Sequence, residues 1–325
     1  MAVLVTGLGY LGAALAEELV RRGEAVVGLE NGFATDPRAL DRLAAAGVEI
    51  IAGDVADPAA VERAFRVAPI ATVYHYAAQA SAHPDAAPAD YTERANLQGP
   101  RVVLDAMLRH GARTIVYASS FKVYGERLAG AVDERRPYGA FRDLSHLSKV
   151  YVEKLLELYA GRDGLRCPAL RLGIVYGPGP VFKTDDRFMT APNKFSRQAA
   201  RGEPLTVHDG GRTRAGFVHL ADATRAALAA AAHAGFAGYT PLNVVGEVAS
   251  LAAVARAVVA AGAARGLAVR VAGLDAAGEA APAFTVTSGL DALGFRYEHT
   301  LADGVGAALD YFLAEIAGGA GRLRA

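Results

Sequence analysis

The first twelve residues narrow the possible folds more than any other part of the chain. A β-branched run at Val3–Thr6 leads directly into Gly7-Leu-Gly9-Tyr-Leu-Gly12, and an Ala/Leu/Glu-rich helical pattern follows over Leu11–Arg22. Strand, glycine loop and helix in this order present free backbone N–H groups, and the positive end of a helix dipole, to a diphosphate. Gly7 permits the tight turn, Gly9 lets the backbone approach the pyrophosphate, and Gly12 lets helix and strand pack closely. Tyr10 and Leu11 complete the loop, which therefore reads as a dinucleotide cradle.

The same alternation continues. Ala25–Leu29, Glu49–Ala52, Thr72–His75, Thr114–Ala118 and Ala169–Leu172 read as strands, with helices predicted at Pro37–Ala46, Pro58–Phe65, Tyr91–His110 and Ser145–Tyr159. In the last of these, Leu147, Val150, Tyr151, Lys154, Leu155 and Leu158 recur at threes and fours and give one apolar face. Near-continuous apolar strands between helices predict an α/β fold, a doubly wound parallel Rossmann sheet covered on both faces. After Tyr176 the pattern loosens into an irregular segment that runs to about Ala215. It predicts a smaller, interleaved C-terminal substrate lobe made of residues 177–216 and 246–325, beside a nucleotide domain of 1–176 plus about 217–245.

Composition removes several classes of function. The 325 residues carry 34 Lys plus Arg against 34 Asp plus Glu, so no basic excess is available for a nucleic-acid partner. The single cysteine, Cys167, rules out an internal disulfide framework and a multi-thiolate metal site, and its apolar surroundings predict a buried packing residue. Apolar stretches around Ala226–Ala232 and Leu251–Ala264 are broken by charge and do not read as membrane spans. With no signal-peptide pattern at Met1, a cytoplasmic location is expected.

Strand two ends in Leu29-Glu30-Asn31, about twenty residues past the glycines. A carboxylate there accepts from both ribose hydroxyls and repels a 2′-phosphate, and no arginine follows immediately, so NAD is expected over NADP. Asp54-Val55, after the third strand, is placed to border the adenine.

With these landmarks in order, the chain resembles the extended short-chain dehydrogenase/reductase family, which includes UDP-glucose 4-epimerase and the sugar-nucleotide dehydratases. The likeness is carried by His75-Tyr-Ala77-Ala78-Gln79, Asn96-Leu-Gln-Gly99, Ser119-Ser120-Phe-Lys-Val-Tyr124-Gly125, Ser148-Lys149, Arg171-Leu-Gly-Ile-Val-Tyr176-Gly-Pro178 and Phe217-Val-His-Leu-Ala-Asp222. The resemblance implies cofactor contacts at Ala77, Ala78, Gln79, Asn96, Lys149 and Tyr176. It also implies substrate contacts at Gln79 and Ser120, while Asn193 of the irregular segment is expected to face the substrate, and Lys183, Arg212 and Arg214 offer cations for a phosphate or carboxylate.

In the family a Ser/Thr hydroxyl holds the substrate oxygen, a Tyr moves the proton, and a Lys four residues later lowers that Tyr's pKa. Ser120 matches the first role and Lys149 the third, but Ser145 stands where the Tyr belongs. Tyr124 and Tyr176 read as packing residues of their turns rather than as substitutes, which leaves three groups to weigh. Ser145 points the right way but falls short of the phenol's reach. His146 titrates near neutrality but lies about 100° round the helix, which favours a surface or capping imidazole. Lys122, two residues after Ser120, can act only if desolvated. Phe121-Lys122 in place of the dehydratases' Asp-Glu argues against elimination chemistry. Hydride transfer with NAD on a nucleotide sugar or related hydroxylated metabolite is the leading expectation. A dehydrogenase of a non-sugar substrate and a catalytically silent NAD sensor remain the alternatives. A homodimer through the helices at Tyr91–His110 and Ser145–Tyr159 is also expected.

Overall fold

The computed structural model describes residues 1–80, 88–126, 128–182, 188–274 and 284–322, with the backbone alone for 319–322. Strands β1 (Ala2–Thr6), β2 (Val26–Glu30), β3 (Val48–Ala52), β4 (Ile70–His75), β5 (Thr114–Ser120), β7 (Cys167–Leu172) and β11 (Tyr239–Val244) form one sheet. Its order is β11-β7-β5-β4-β1-β2-β3 and every pairing in it is parallel. The order reverses at β1, between β2 and β4, and in sheets of this kind ligands bind at the carboxyl ends beside such a switch point. Thr6 is level with both Leu29 and His75, so those ends form one rim.

Alternate side chains of each strand enter opposite cores. Val5, Val116 and Leu170 pack with Leu15 and Leu19 of α1 (Tyr10–Arg21), Leu43 of α2 (Pro37–Ala45), and Ala226 and Ala227 of α8 (Leu220–Ala232). Leu4, Val27 and Ile115 pack on the other face with α3 (Pro58–Val67), α5 (Gly99–His110) and α6 (Leu144–Asp163). Cys167 lies in that second core, where burial pushes its thiol up to about 12.

The helix predicted at Tyr91–His110 is divided. A short α4 (Ala89–Glu93) passes through a π-helical turn at Arg94–Gln98 into α5. Pro100 has no N–H to donate backwards, which suits a local widening of the turn. In α6 the residues turned inward are Ser145, Ser148, Lys149, Val152, Glu153, Leu156, Tyr159 and Ala160. The apolar face read from the sequence is instead the outer one, with Leu147, Tyr151 and Leu158 exposed.

Residues after Tyr176 are more ordered than expected. Thr190 and Pro192 start α7 (Ala191–Ala200), a helix inside the segment read as irregular. It packs with α9 (Leu251–Ala263) and α10 (Leu301–Arg322) around Phe195, Val254, Val305 and Leu309. A small sheet of β8 (Ile174–Tyr176), β10 (Arg214–His219) and β12 (Glu247–Ser250), ordered β12-β10-β8, joins this core. Two short parallel pairs stand outside both sheets: β6 (Gly130–Val132) with β14 (Phe284–Val286), and β9 (Leu205–Thr206) with β13 (Val271–Ala272). Among the described residues no helix is long and apolar enough to cross a membrane.

Candidate active site

A cavity of about 1020 Å³ follows the carboxyl rim of the large sheet and continues under α7 and the small sheet. Its first end is built by the glycine loop. At Gly7, φ is +78° and a Cβ would lie 2.6 Å from the Ala77 backbone, while at Gly12 it would fall 1.8 Å from the Gly7 carbonyl oxygen. Both positions are closed to any side chain. A Cβ at Gly9, by contrast, meets no atom of the described residues within 4 Å.

Glu30 is buried where strand β2 ends, and its two oxygens accept from Leu8 N (2.6 Å) and Gly32 N (2.8 Å). Asn31 accepts from Phe33 N and donates to the Tyr91 hydroxyl, and the Phe33 and Tyr91 rings stack at 4.1 Å. Gly53 and Val55 line this end, whereas Asp54 is turned to Ala56 N (2.9 Å) and Arg94 (3.5 Å).

Ala77 and Ala78 line the middle. Gln79 and Asn96 lie beneath it: Asn96 accepts from Gln79 N (2.7 Å) and donates to Gln79 O (2.9 Å) and the Ser148 hydroxyl (3.0 Å). This clamp, mounted on the π-helical turn, fixes the loop after β4. Tyr10 and Asn193 tie the glycine loop's helix to the turn after β8 and to α7. Tyr10 donates to Gly177 O, Asn193 Nδ2 donates to the Tyr10 hydroxyl, and Asn193 Oδ1 accepts from Gly177 N. Tyr176 departs from the cofactor role expected of it. It is fully buried against Phe217 and His219 because β8 has already left the large sheet.

Ser120, Lys122, Ser145, His146 and Lys149 converge on the far part of the cavity. Ser120 ends β5 and caps a 3₁₀ turn, its hydroxyl oxygen accepting from Lys122 N at 3.2 Å. The Lys122 side chain is exposed along the cavity wall. Lys149 is buried, donates to Ala118 O at 2.8 Å and lies over the Tyr117 ring. Burial pushes its ammonium down to about 8, against the opposing charge of Glu153. The same burial, with the Lys149 charge, holds His75 near 3 and therefore neutral.

Ser145 donates to Gln79 O at 3.1 Å. Asp143 caps α6 by accepting from His146 N, and its other oxygen lies 2.5 Å from His146 Nδ1. The ring of His146 thus lines the cavity beside Lys149, contrary to the capping or surface role favoured from its sequence position. At about 100° per residue, Lys149 sits roughly 40° from Ser145 and 60° from His146, so the two flank it. Asp143 is missed by the sequence reading, although an Asp three residues before a helical His carries an N-cap signal.

Behind Lys149, Glu153 and Arg171 form an ion pair at 2.7 Å, fully buried and 3 % exposed respectively. Ser119, Tyr138 and Tyr239 also donate to Glu153, and Arg171 donates to Tyr124. Phe121, Ile174, Phe188, Met189 and Phe284 line the deep end. Arg214 reaches it, whereas Arg212 lies outside the lining and is held to Asp209 at 2.6 Å. Lys183 lies outside the described residues.

Residues 3–244 match the NAD dependent epimerase/dehydratase family. UDP-glucuronate 4-epimerase 3 of Arabidopsis thaliana is 29% identical over 239 residues, 70% of this chain but 54% of that protein. The chain thus spans about half the length of this curated relative. UDP-N-acetyl-alpha-D-glucosaminuronate decarboxylase of Bacillus cytotoxicus is 27% identical over 231 residues, 70% of each chain. Among solved structures, the UDP-glucose 4-epimerase of Thermus thermophilus in complex with NAD superposes with a TM-score of 0.80 at 29% identity, covering 96% of this chain and 99% of that one. The glycine loop, Ser120 and Lys149 on one cavity, and the family match over most of its length place this chain in the NAD-dependent epimerase/dehydratase family.

Proposed function

We propose that the chain holds NAD along this cavity and exchanges hydride with a carbinol carbon of a nucleotide sugar, 4-epimerisation being the leading reaction. The observation that carries the reading is a single cavity lined by the glycine loop and Glu30 and also by Ser120 and Lys149. Gly9 supports the cofactor's place. Among the described residues no atom competes for the space its side chain would take, which leaves that space to a ligand that approaches the backbone. Glu30 keeps a lone pair on each oxygen for the ribose hydroxyls after accepting from Leu8 and Gly32. Ser120 offers its hydroxyl hydrogen to a substrate oxygen, since its lone pair already serves Lys122 N.

NAD should bind at least tenfold more tightly than NADP in calorimetric titrations, and Glu30→Gln should narrow the gap. Equal affinities in the wild type would remove Glu30 from this role. The reaction itself is tested with UDP-glucose and UDP-glucuronate, from which the 4-epimer should accumulate without net NADH. The apolar deep end around Phe121, Phe188 and Phe284 favours a second reading, a dehydrogenase of a less polar hydroxylated substrate, for which NADH would accumulate instead.

A homodimer belongs to the same proposal. Leu147 (50 %), Tyr151 (43 %) and Leu158 (55 %) present an exposed apolar stripe on α6, suited to an isologous helix-on-helix contact. Light scattering at micromolar concentration should return twice the 33.7 kDa chain mass, and Tyr151→Glu should return the monomer. A cytoplasmic location also belongs here, resting on the cofactor and substrate classes.

A further inference from the structure

We propose that the Asp143–His146 pair supplies the proton acceptor and donor of this active site, with Nε2 of His146 at the reacting oxygen and Asp143 as the residue that positions it. The inference rests on the hydride-transfer reading above and concerns the place left by the missing phenol.

Of the three candidate groups, Lys122 can act only if desolvated, and its side chain is exposed. The Ser145 hydroxyl already donates its hydrogen to Gln79 O. His146 differs. Asp143 engages Nδ1 at 2.5 Å and leaves Nε2 as the ring atom with no protein partner among the described residues, on a side chain that lines the cavity and is 17 % exposed. A carboxylate at Nδ1 selects the tautomer with the proton on Nδ1, so Nε2 carries the lone pair. The helix N-cap fixes this geometry, because Asp143 also accepts from His146 N at 2.9 Å.

The charged groups that act on the ring are Asp143, Lys122 and Lys149. Burial lowers the imidazole pKa first, the two lysines lower it further, and Asp143 opposes them. The ring is therefore neutral at pH 7 and ready to accept a proton. Once it has accepted one, Asp143 stabilises the imidazolium.

The balance is simple. Bound NAD⁺ takes the carbinol C–H with its electron pair, so the carbinol carbon is oxidised to a ketone and the cofactor is reduced to NADH. The hydroxyl proton passes to Nε2 of His146, while Ser120 keeps its hydrogen bond to the same oxygen. In the reverse direction Nε2 returns that proton as the carbonyl is reduced.

The test uses the NAD-loaded full chain with UDP-glucose, UDP-glucuronate and UDP-N-acetylglucosamine. His146→Gln should lower kcat by 10² or more with KM within threefold, since positioned acid–base groups contribute about 10²–10⁴. The acid limb of the wild-type pH profile, expected below pH 6.5, should disappear with it. Asp143→Asn should keep a limb but move it to lower pH, because the ring loses the carboxylate that favours its charged form. A His146→Gln enzyme within threefold of wild type overturns the proposal and leaves hydride transfer standing.

A second readout needs no turnover. ¹⁵N-histidine NMR of the NAD-loaded protein should show His146 neutral at pH 7 with the proton on Nδ1. A charged ring, or the opposite tautomer, overturns the proposal whatever the activity. If none of the three sugars reacts while NAD binds, the nucleotide-sugar reading falls, and the NMR result alone decides whether His146 is the poised base.

Discussion

Replacing Glu153 with alanine should cost about 3–5 kcal/mol of stability, the range for breaking a buried ion pair from one side. Arg171, 3 % exposed, would keep its charge with no carboxylate against it. Ser119, Tyr138 and Tyr239 would each lose the oxygen to which they donate. Burying such groups without partners is expensive because the interior offers no water in exchange. Urea denaturation should show the midpoint fall sharply, and Glu153→Gln, which keeps one acceptor oxygen, should fall less. A loss under about 1 kcal/mol for Glu153→Ala would mean that solvent reaches Arg171 after all. Glu153 also opposes the depression of the Lys149 pKa, so its loss should drive that amine further down.

Lys149→Ala should abolish measurable turnover, a loss of at least about 10³-fold, the upper part of what acid–base and electrostatic groups contribute. The amine is fixed by Ala118 O and the Tyr117 ring at the meeting point of Ser120 and His146. Lys149→Arg should not rescue activity, because a planar guanidinium does not fit a pocket shaped for a point charge. The wild-type rate should also fall as pH rises through about 8, where the ammonium loses its proton.

Linkage gives an independent check on the same group. In the empty protein the folded state releases this proton near 8 and the unfolded chain near 10.5, so across that window the unfolded state binds more protons. This group's contribution to stability should therefore rise with pH there, and the rise should vanish in Lys149→Ala. A Lys149→Ala enzyme within tenfold of wild type would place the cation elsewhere.

The nucleotide half is legible in the sequence because its signals are local. Val3–Thr6, the three glycines and Glu30 are close along the chain, and each is constrained by backbone geometry. Ser120 and Lys149 are found through the resemblance, and the structure brings them to one cavity. What escapes depends on distant contacts. α7 is hidden by its mixed composition and stands because Phe195 packs under α9 and α10. Tyr176 reads as part of a turn at the cofactor, but the chain leaves the large sheet before reaching it. Arg212 and Arg214 are two residues apart, yet the first precedes β10 and pairs with Asp209. The angle of His146 to Ser145 misleads, because the neighbour that matters is Lys149.

The pairing of β11 with β7 has a consequence for how the protein must be made. Cys167–Leu172 forms the penultimate strand, and its outer hydrogen bonds go to Tyr239–Val244, roughly 70 residues later. At about 5–20 residues per second, a ribosome needs several seconds to deliver the covering strand. Through that interval the nascent chain holds an apolar strand, with Ala169 and Leu170, whose free edge has nothing of its own to bind. Aggregation during synthesis should therefore concentrate on this edge, and slowing translation between the two strands should reduce soluble yield even though the finished fold is unchanged.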